Sequence, residues 1–378
     1  MLCGRWHSAR CRLKSEGTGR PAPLAAEATY PVQINSISVV IPTLNRPALL
    51  LEAIESAVRQ SRAPAEVIVV DDGSNPPVDR DALMTRFGPV VCVIWNTTSQ
   101  GLAWSRHQGV EAATGDYVVQ LDDADLYSLD LLSSSATLLD ADPALELVFI
   151  GVTGFGSGAE HFDRMHPLGV AKVIAQGAGT ALGDHTYAFD GGLVRGLLNQ
   201  VPMPFQRVMA RRVAWLKVSA LRLAAYRSAF GLASDEEARA LIRGTLRDSE
   251  WAVYAAVGCS RLALVDKPLY LQRCEGQGGS SHPSMRQKHI AQAIGIKSVM
   301  NKAASARPEM QPLRTHICEN LAKSHFDAAY EQLNAGLYGS ALAHLRASFL
   351  LAPRIQHMKL FTRFCIAGIR SLARADRG

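Results

Sequence analysis

The segment Tyr117-Val-Val-Gln-Leu-Asp122-Asp123-Ala124-Asp125 decides the predicted fold, because an apolar strand runs directly into three carboxylates. Its apolar residues predict a buried strand of a parallel sheet, and ligands of open α/β sheets bind where such strands end. Carboxylates this close raise each other's pKa unless a cation lies among them. The segment therefore predicts a site for Mg²⁺ or Mn²⁺, hard ions that prefer carboxylate oxygens. A solvated acidic turn that caps the following helix is the alternative.

Composition and charge describe a globular protein. The chain has 378 residues, 48% of them hydrophobic, which allows two domains or one enlarged domain. No apolar run reaches the roughly 18–20 residues that a membrane span requires. The seven cysteines form no C-x-x-C pair, which favours a reducing compartment. A net charge of +6 without a nucleic-acid reader motif suits an anionic substrate or lipid headgroups better than duplex nucleic acid.

Residues 1–34 contain scattered Arg, Gly, Pro and Ala without the apolar core of a secretory signal. We interpret them as a disordered lead-in, with an organelle transit peptide as the alternative.

Strands and helices alternate over the next hundred residues, which predicts a parallel sheet covered on both faces. Asn45 is the predicted cap of the first helix, and Pro47 is its predicted first residue. The predicted elements are strands at Ile37 to Ile41, Val67 to Val70, Val90 to Trp95 and Tyr117 to Leu121, and helices after Asn45 and at Leu102 to Ala113.

The polar residues at the predicted strand ends favour a particular kind of nucleotide site. Neither G-x-G-x-x-G after the first strand nor G-x-x-x-x-G-K-[ST] is present, so the dinucleotide and P-loop interpretations lose their main support. Thr43, Asp72 and the acids from Asp122 to Asp125 are expected at one edge of the sheet. A carboxylate there can accept a hydrogen bond from a base or a ribose hydroxyl, and the later acids can hold a metal on a diphosphate.

Four sequence blocks resemble the inverting family 2 glycosyltransferases, which have the GT-A fold. They are Ile37-Ser-Val-Val-Ile-Pro-Thr-Leu-Asn-Arg46, Val69-Val-Asp-Asp-Gly-Ser74, Gly101-Leu-Ala-Trp-Ser-Arg-His-Gln-Gly109 and Gly115-Asp-Tyr-Val-Val-Gln-Leu-Asp-Asp-Ala-Asp125. The blocks occur in the family's order and spacing across residues 36–132. The resemblance implies a Rossmann-like α/β sheet flanked by helices and a nucleotide-diphospho-sugar donor, with a UDP-sugar favoured.

The resemblance also implies roles for residues of the nucleotide-binding half. Pro42 and Thr43 match the backbone shelf under the base, and Asn45 lies in the same loop. Asp72 matches the carboxylate that reads the base. Arg106 matches a basic residue near the base and diphosphate, and a helix arginine that bridges to the acidic cluster is the alternative.

The acidic block departs from the family's L-D-x-D-D pattern, because Ala124 stands within it. We assign Asp123 and Asp125 to a divalent cation and Asp122 to the ribose. Asp122 with Asp123 in a shifted frame is the alternative pair, and a weakened or metal-independent site stays open.

The resemblance extends to the catalytic base. A sugar hydroxyl needs a carboxylate base within hydrogen-bond reach, and Asp248 aligns with that base. The family's preceding Glu is Arg247 here, so Glu250 is the reserve candidate, and an acidic first turn of a helix is the alternative. In the loop after the next strand, Arg273 is expected to contact phosphate and His282 is a further candidate ligand of the metal.

Two other segments of the acceptor half carry predictions. The Gly-rich stretch 151–192 predicts a long surface or gating loop, in which His161, His166 and His185 are loop or core histidines. The segment from Val208 to Arg227 interleaves basic and apolar residues. A helix of this kind can lie on an anionic membrane, which suits a lipid-linked acceptor, or it can be an ordinary packed helix.

The C-terminal region, residues 283–378, has a helical pattern. Tyr330 to Pro353 resembles a tetratricopeptide helix pair, and a single unit must pack on the catalytic domain or on a protein partner. The last helix, from Leu360 to Arg374, is a second candidate for peripheral membrane contact.

Together these observations predict a GT-A glycosyltransferase domain at residues 35–282, with a nucleotide-binding half at 35–130 and an acceptor half at 131–282. The resemblance implies transfer of a sugar with inversion to a carbohydrate or lipid-linked acceptor in bacterial surface polysaccharide or glycolipid assembly. A cytoplasmic protein, or one peripheral on the inner face of the cell membrane, fits that role. A non-catalytic sugar-nucleotide-binding scaffold and a nucleotidyltransferase are the rival interpretations.

Overall fold

Four parallel strands and their connecting helices form the first half of the sheet. The computed structural model describes residues 35–245, 248–274 and 283–362. The elements of this half are β1 (Ile37–Thr43), α1 (Pro47–Val58), β2 (Glu66–Asp71), α2 (Arg80–Phe87), β3 (Val91–Trp95), α3 (Leu102–Ala112) and β4 (Tyr117–Gln120). β1 pairs in parallel with β2 and with β4, and β2 pairs in parallel with β3. The predicted strand and helix positions are confirmed here within one or two residues.

The second half of the sheet is mixed. Its elements are β5 (Leu126–Tyr127), α4 (Leu131–Ala141), β6 (Leu147–Phe155), α5 (Ala159–Gln176), β7 (Thr180–Gly183), β8 (Thr186–Phe189), α6 (Leu193–Asn199), β9 (Val208–Arg211), α7 (Arg212–Phe230), α8 (Asp235–Thr245), α9 (Asp248–Gly258) and β10 (Leu262–Arg273). The strand order is β3-β2-β1-β4-β9-β6-β10-β8-β7, and β5 pairs with β10. β9 runs antiparallel to both β4 and β6, so the sheet is not parallel throughout.

Both faces of the central strands are buried, as their continuous apolar sequences predict. Side chains alternate along a strand, so Val40 and Val70 join one hydrophobic core, whereas Val39 and Val69 join the other. Helices cover each face, and the predicted α/β sheet flanked by helices is confirmed. This layering leaves the carboxyl ends of β1, β2 and β4 as the open edge.

Two local predictions were wrong. The Gly-rich stretch 151–192 is not a structureless loop, because it contains the 18-residue helix α5 and the β7–β8 hairpin. His185 lies exposed in that hairpin's turn at φ 56°, and the side chains of His161 and His166 are outside the described residues. Asn45 does not cap α1, since the N-cap residue is Arg46 and it makes no side-chain cap hydrogen bond.

An irregularity in β10 shapes the sheet near its open edge. The register between β10 and β6 shifts between Val265 and Tyr270. A Cβ on Gly151 of β6 would lie 2.1 Å from the carbonyl oxygen of Lys267, so glycine permits the close approach there. Beyond the shift, Tyr270 and Leu271 pair with β5, which follows the acidic segment directly. The bulge therefore brings the end of β10 against the carboxylates.

Helix α7 is a packed helix, and its basic residues are engaged within the protein. Lys217 pairs with Glu146, Arg222 pairs with buried Glu250, and Arg227 pairs with Asp235. Trp215 and Val218 are buried in the core. The packed-helix alternative therefore describes this segment better than the membrane-surface alternative.

The C-terminal extension consists of α10 (Pro283–Ala306), α11 (Arg314–Asn334) and α12 (Tyr338–Leu351). Met300 and Ala303 of α10 and Ile317 of α11 belong to the same core as the sheet, so the extension packs on the α/β domain. A separate small cluster joins α11 to α12 through Ala329, Leu333, Ala341, Leu345 and Leu360. Residues 363–378, which include most of the predicted last helix, are outside the described residues. Across the described ranges, no helix combines the length and apolar character needed to span a membrane.

Candidate functional site

The ends of β1, β2 and β4 bring the predicted polar residues together. Thr43 pairs with Asp71 in the β1–β2 register, and the backbone N–H of Asp72 donates to the carbonyl of Thr43 at 2.9 Å. The backbone N–H of Leu121 continues the β4 ladder by donating to Val40. The acids from Asp122 onward therefore emerge beside Thr43, as the sequence predicts.

Asp123 faces β1. Its Oδ2 accepts a 2.8 Å hydrogen bond from Oγ1 of Thr43, and its Oδ1 lies 3.1 Å from Nη1 of Arg46. Thr43 and Asp123 are buried, whereas the side chain of Arg46 is 57% exposed. One partner of Asp123 is thus fixed in the sheet, and the other lies at the surface.

Asp122 is held by two arginines. Arg106 of α3 forms an ion pair with Oδ1, and Nη2 of Arg207 lies 3.2 Å from Oδ2. Burial alone would raise the pKa of Asp122, but the two guanidinium groups outweigh burial and lower that pKa to about 2. Asp122 is therefore ionised at neutral pH. The alternative interpretation of Arg106, a helix arginine that bridges to the acidic cluster, describes this contact.

Asp125 points toward β10. Its Oδ2 accepts a 2.9 Å hydrogen bond from the hydroxyl of Tyr270, and its Oδ1 accepts one of 2.9 Å from the backbone N–H of Arg273. Nη2 of Arg207 lies 3.6 Å from the same Oδ2. Burial, followed by the negative charge of Asp122, raises the pKa of Asp125 above its ordinary value.

Arg207 and Tyr270 are site residues that the sequence did not single out. The guanidinium of Arg207 lies 4.6 Å from the centre of the Tyr270 ring, a cation–π distance, and the residue is only 6% exposed. The hydroxyl of Tyr270 also accepts a 3.1 Å hydrogen bond from the backbone N–H of Asp122. A single Arg before a strand and a single Tyr within one are weak sequence signals, so only their tertiary positions reveal them.

Asp72 organises the loop that precedes α3. Its Oδ1 accepts hydrogen bonds from the side chain of Asn96 and the backbone of Gln100, and its Oδ2 accepts from Ser99 and the backbone of Gly101. Burial opposes ionisation, but these four bonds outweigh it and lower the pKa of Asp72. A carboxylate has about four acceptor positions, and these four hydrogen bonds fill them. A base can therefore bind Asp72 directly only if one of the four donors moves away.

The neighbouring loop residues are tied to one another. Oδ1 of Asn45 accepts a 2.8 Å hydrogen bond from the backbone of Asn75, and the backbone N–H of Asn45 donates to Oγ of Ser74. Pro42 is buried within β1, opposite Val70. The loops after β1 and β2 therefore support each other at the open edge.

Arg273, predicted to contact phosphate, already has protein partners. Its side chain pairs with Glu52, its Nε donates 2.8 Å to the carbonyl of Ala124, and its guanidinium lies 4.6 Å from the Phe155 ring centre. These contacts fasten the end of β10 to the acidic segment. A phosphate that binds Arg273 would share its guanidinium with these partners or displace one of them.

The candidates for the catalytic base differ in their surroundings. Asp248 is the first residue of α9, and its side chain is outside the described residues, as is all of His282. Glu250, the reserve candidate, is fully buried. It forms an ion pair with Arg222 at 2.5 Å and accepts from the hydroxyl of Tyr226 at 2.8 Å. Glu250 therefore has the contacts of a structural carboxylate.

The carboxylates of the acidic segment are suitable ligands for a hard divalent cation. In this structure guanidinium groups balance their negative charges instead. Within the ranges that the structure describes, three or more potential metal ligands do not form a ready cluster. Asp122, Asp123 and Asp125 instead face Arg46, Arg106 and Arg207. A cation can use these carboxylate oxygens, but it must compete with the guanidinium groups for their negative charge.

Comparison with known proteins identifies the domain. The sequence model for "Glycosyl transferase family 2" matches residues 38–213, which include β1 through β9 and the whole acidic segment. Residues 38–213, just under half of the chain, are therefore similar to this family. The matched range ends before α9, so Asp248 lies outside it.

Curated relatives of this family 2 domain include several bacterial glycosyltransferases. An uncharacterized glycosyltransferase of Haemophilus influenzae is 30% identical over 113 residues, 30% of this chain and 37% of the relative. The putative colanic acid biosynthesis glycosyl transferase WcaA of Escherichia coli is 34% identical over 98 residues, 26% of this chain and 35% of WcaA. A PGL/p-HBAD biosynthesis glycosyltransferase of Mycobacterium bovis is 31% identical over 137 residues, 34% of this chain and 53% of the relative. The chain spans about a third to a half of these relatives.

Solved structures similar to the chain include TarS and a mannosyltransferase. Staphylococcus aureus TarS 1–349 matches with a TM-score of 0.44 at 15% identity, covering 82% of this chain and 88% of that one. The mannosyltransferase PcManGT from Pyrobaculum calidifontis, in complex with GDP-Man and Mn²⁺, matches with a TM-score of 0.46 at 17% identity, covering 93% and 84%.

Proposed function

We propose that this family 2 glycosyltransferase moves a sugar from a nucleotide-diphosphate donor to an acceptor hydroxyl with inversion. The observation that carries the proposal is the concentration of Arg46, Arg106 and Arg207 beside the three carboxylates, at the open edge of the sheet. Guanidinium groups bind phosphate oxygens strongly, and carboxylates accept from sugar hydroxyls. A nucleotide-diphosphate sugar contains a diphosphate and two sugars. Its phosphates can bind the arginines, and its sugar hydroxyls can donate to the carboxylates.

The nucleoside would bind at the ends of β1 and β2. Pro42 and Thr43 end β1, Asn45 lies in the loop that follows, and Asp72 holds the loop from Asn96 to Gly101. We propose that these two loops hold the base, with Asp72 acting through the loop that it organises. Asp122 is ionised and accessible on about a quarter of its side chain, which supports its role as a ribose acceptor.

The transfer step needs a base and a way to stabilise the leaving group. We assign the base to Asp248: the acceptor oxygen attacks the anomeric carbon, its proton passes to Asp248, and the bonding pair to the diphosphate leaves with the diphosphate oxygen. A Mg²⁺ or Mn²⁺ held by Asp123 and Asp125 would supply positive charge to the leaving diphosphate. Arg106 and Arg207 add fixed positive charge at the same edge.

The biological setting is proposed from relatives. WcaA is named for colanic acid biosynthesis, which supports a carbohydrate or lipid-linked acceptor in bacterial surface polysaccharide or glycolipid assembly. We propose that the protein works in the cytoplasm or peripherally on the inner face of the membrane.

Donor hydrolysis and transfer test the proposal. The full chain is incubated with UDP-, GDP- and TDP-sugars and Mn²⁺, and the released nucleoside diphosphate is measured for the wild type and for Asp248→Asn. Asp235→Asn is the matched control, because it makes the same chemical change in an exposed acid paired only with Arg227 among the contacts described. We expect release from one donor class, its loss in Asp248→Asn, and its retention in Asp235→Asn. A silent donor panel would favour the sugar-nucleotide-binding scaffold, and full activity in Asp248→Asn would refute the assigned base.

A further inference from the structure

Arg207 occupies a constrained position between two carboxylates of the site. It follows the 3₁₀ segment Met203–Gln206 and precedes β9. Its Nη2 lies 3.2 Å from Oδ2 of Asp122 and 3.6 Å from Oδ2 of Asp125, and its guanidinium covers the ring of Tyr270. With 6% exposure it is almost completely buried. Arg207 is therefore a built-in component of the site.

The charges show what Arg207 does there. Nη2 of Arg207 lies 3.2 Å from one oxygen of Asp122 and 3.6 Å from one oxygen of Asp125, so the two negative charges lie close together and repel each other. In a region shielded from water such repulsion is strong, and a cation between the carboxylates offsets it. Asp123 differs, since its arginine partner, Arg46, is more than half exposed. A surface ion pair of that kind contributes little and is easily replaced.

We propose that Arg207 is the resident counter-ion of Asp122 and Asp125, and that it competes with a divalent cation for the Asp125 carboxylate. The inference rests on the proposed function, because it takes Asp123 and Asp125 as the cation ligands. Arg207 acts here as a positioning residue. In the donor-free protein it keeps cation affinity low, and the donor's diphosphate is the anion that can take over its guanidinium through paired hydrogen bonds.

Mn²⁺ binding to the donor-free full chain tests the proposal without any need for catalysis. Free Mn²⁺ is followed by electron paramagnetic resonance during titration of the wild type, Arg207→Gln, Arg207→Lys and Arg46→Gln. We expect Arg207→Gln to bind Mn²⁺ about tenfold more tightly than the wild type, because a buried positive charge has been removed from beside the ligand. Arg207→Lys keeps that charge and should stay within about threefold. Arg46→Gln removes an exposed charge and should also change affinity by about threefold or less.

A second pair of variants, in which the charge of Asp122 is also removed, covers the case in which Arg207→Gln does not fold. If that variant shows no cooperative thermal transition, Asp122→Asn is compared with Asp122→Asn/Arg207→Gln, and the second should again bind Mn²⁺ about tenfold more tightly. Mn²⁺ affinity that is unchanged or weaker after removal of Arg207, or a larger gain from Arg46→Gln, would overturn the counter-ion role.

The two proposals fail in different ways. An inactive donor panel together with tighter Mn²⁺ binding in Arg207→Gln would leave the counter-ion role standing and remove the proposed transfer. An active donor panel together with unchanged Mn²⁺ binding in Arg207→Gln would support the proposed transfer and overturn the counter-ion role of Arg207.

Discussion

Thr43, the last residue of β1, donates a 2.8 Å hydrogen bond to Oδ2 of Asp123, which follows β4 and lies 80 residues later in the chain. Both side chains are buried. The bond joins the end of β1, at the proposed base site, to the segment proposed to hold the cation. It therefore couples two parts of the site that the sequence presents as separate motifs.

Thr43→Val should weaken both stability and donor binding. The substitution keeps the shape of the side chain but leaves a buried carboxylate oxygen without its donor, which costs about 1–3 kcal/mol. Chemical denaturation measures the loss, and calorimetry with nucleoside diphosphate measures binding. Thr43→Ser, which restores the hydroxyl, should recover most of both. Equal stability of the Val and Ser variants would contradict the importance of this bond.

Glu250→Gln should destabilise the protein. Breaking a buried ion pair leaves Arg222 without its full counter-charge, which costs about 3–5 kcal/mol. Its thermal midpoint should fall clearly, whereas the activity of the protein that remains folded should persist at low temperature. Asp248→Asn should show the opposite pattern, with transfer abolished. A stable but inactive Glu250→Gln variant would return Glu250 to consideration as the base.

Gly109→Ala should destabilise α3 against the sheet. A Cβ at Gly109 would lie 2.2 Å from Cγ1 of Val40, and overpacking of this kind costs about 1–3 kcal/mol. Gly295→Ala is the matched control, because a Cβ there meets nothing within 4 Å and an alanine in a helix should add about 0.5–1 kcal/mol of stability. Urea denaturation compares the two. Val40→Ala should partly rescue Gly109→Ala.

The pair of His325 and His344 should make stability depend on pH. Their Nδ1 atoms lie 2.9 Å apart between α11 and α12, and burial lowers the pKa of both rings, with the neighbouring His344 lowering that of His325 further. A lowered folded-state pKa means that the unfolded chain binds more protons below pH 6.5, so stability falls as the pH drops from there. Thermal midpoints at pH 7.5 and 5.5 measure the decline.

His344→Gln should reduce that decline, because one titrating partner is removed. His107 also has a lowered pKa, so the comparison is between the wild type and the variant at each pH. The same pH dependence in both proteins would exclude the pair as a contributor.

Much of the fold was predictable from local sequence. The apolar runs around Val39, Val69 and Val118 require strands buried on two faces, and the helices between them impose parallel pairing. Two predictions failed because the local sequence signal pointed to a different local structure from the one that forms. Asn45 has the chemistry of a helix cap, but the neighbouring Asn75 backbone uses its side chain. The helix α5 was missed because the stretch around it is rich in glycine and the helix itself contains Pro167.

The sequence by itself determined which acids gather at the open edge, because a strand's end fixes where Asp72, Asp122, Asp123 and Asp125 must emerge. Only the tertiary structure decided how those acids are neutralised. Arg207, which precedes β9, and Tyr270 of β10 reach them from the side of β4 opposite β1, and Arg222 holds Glu250 in the core. These pairings depend on distances between residues far apart in the chain, which the sheet order and the bulge in β10 establish and no local pattern records.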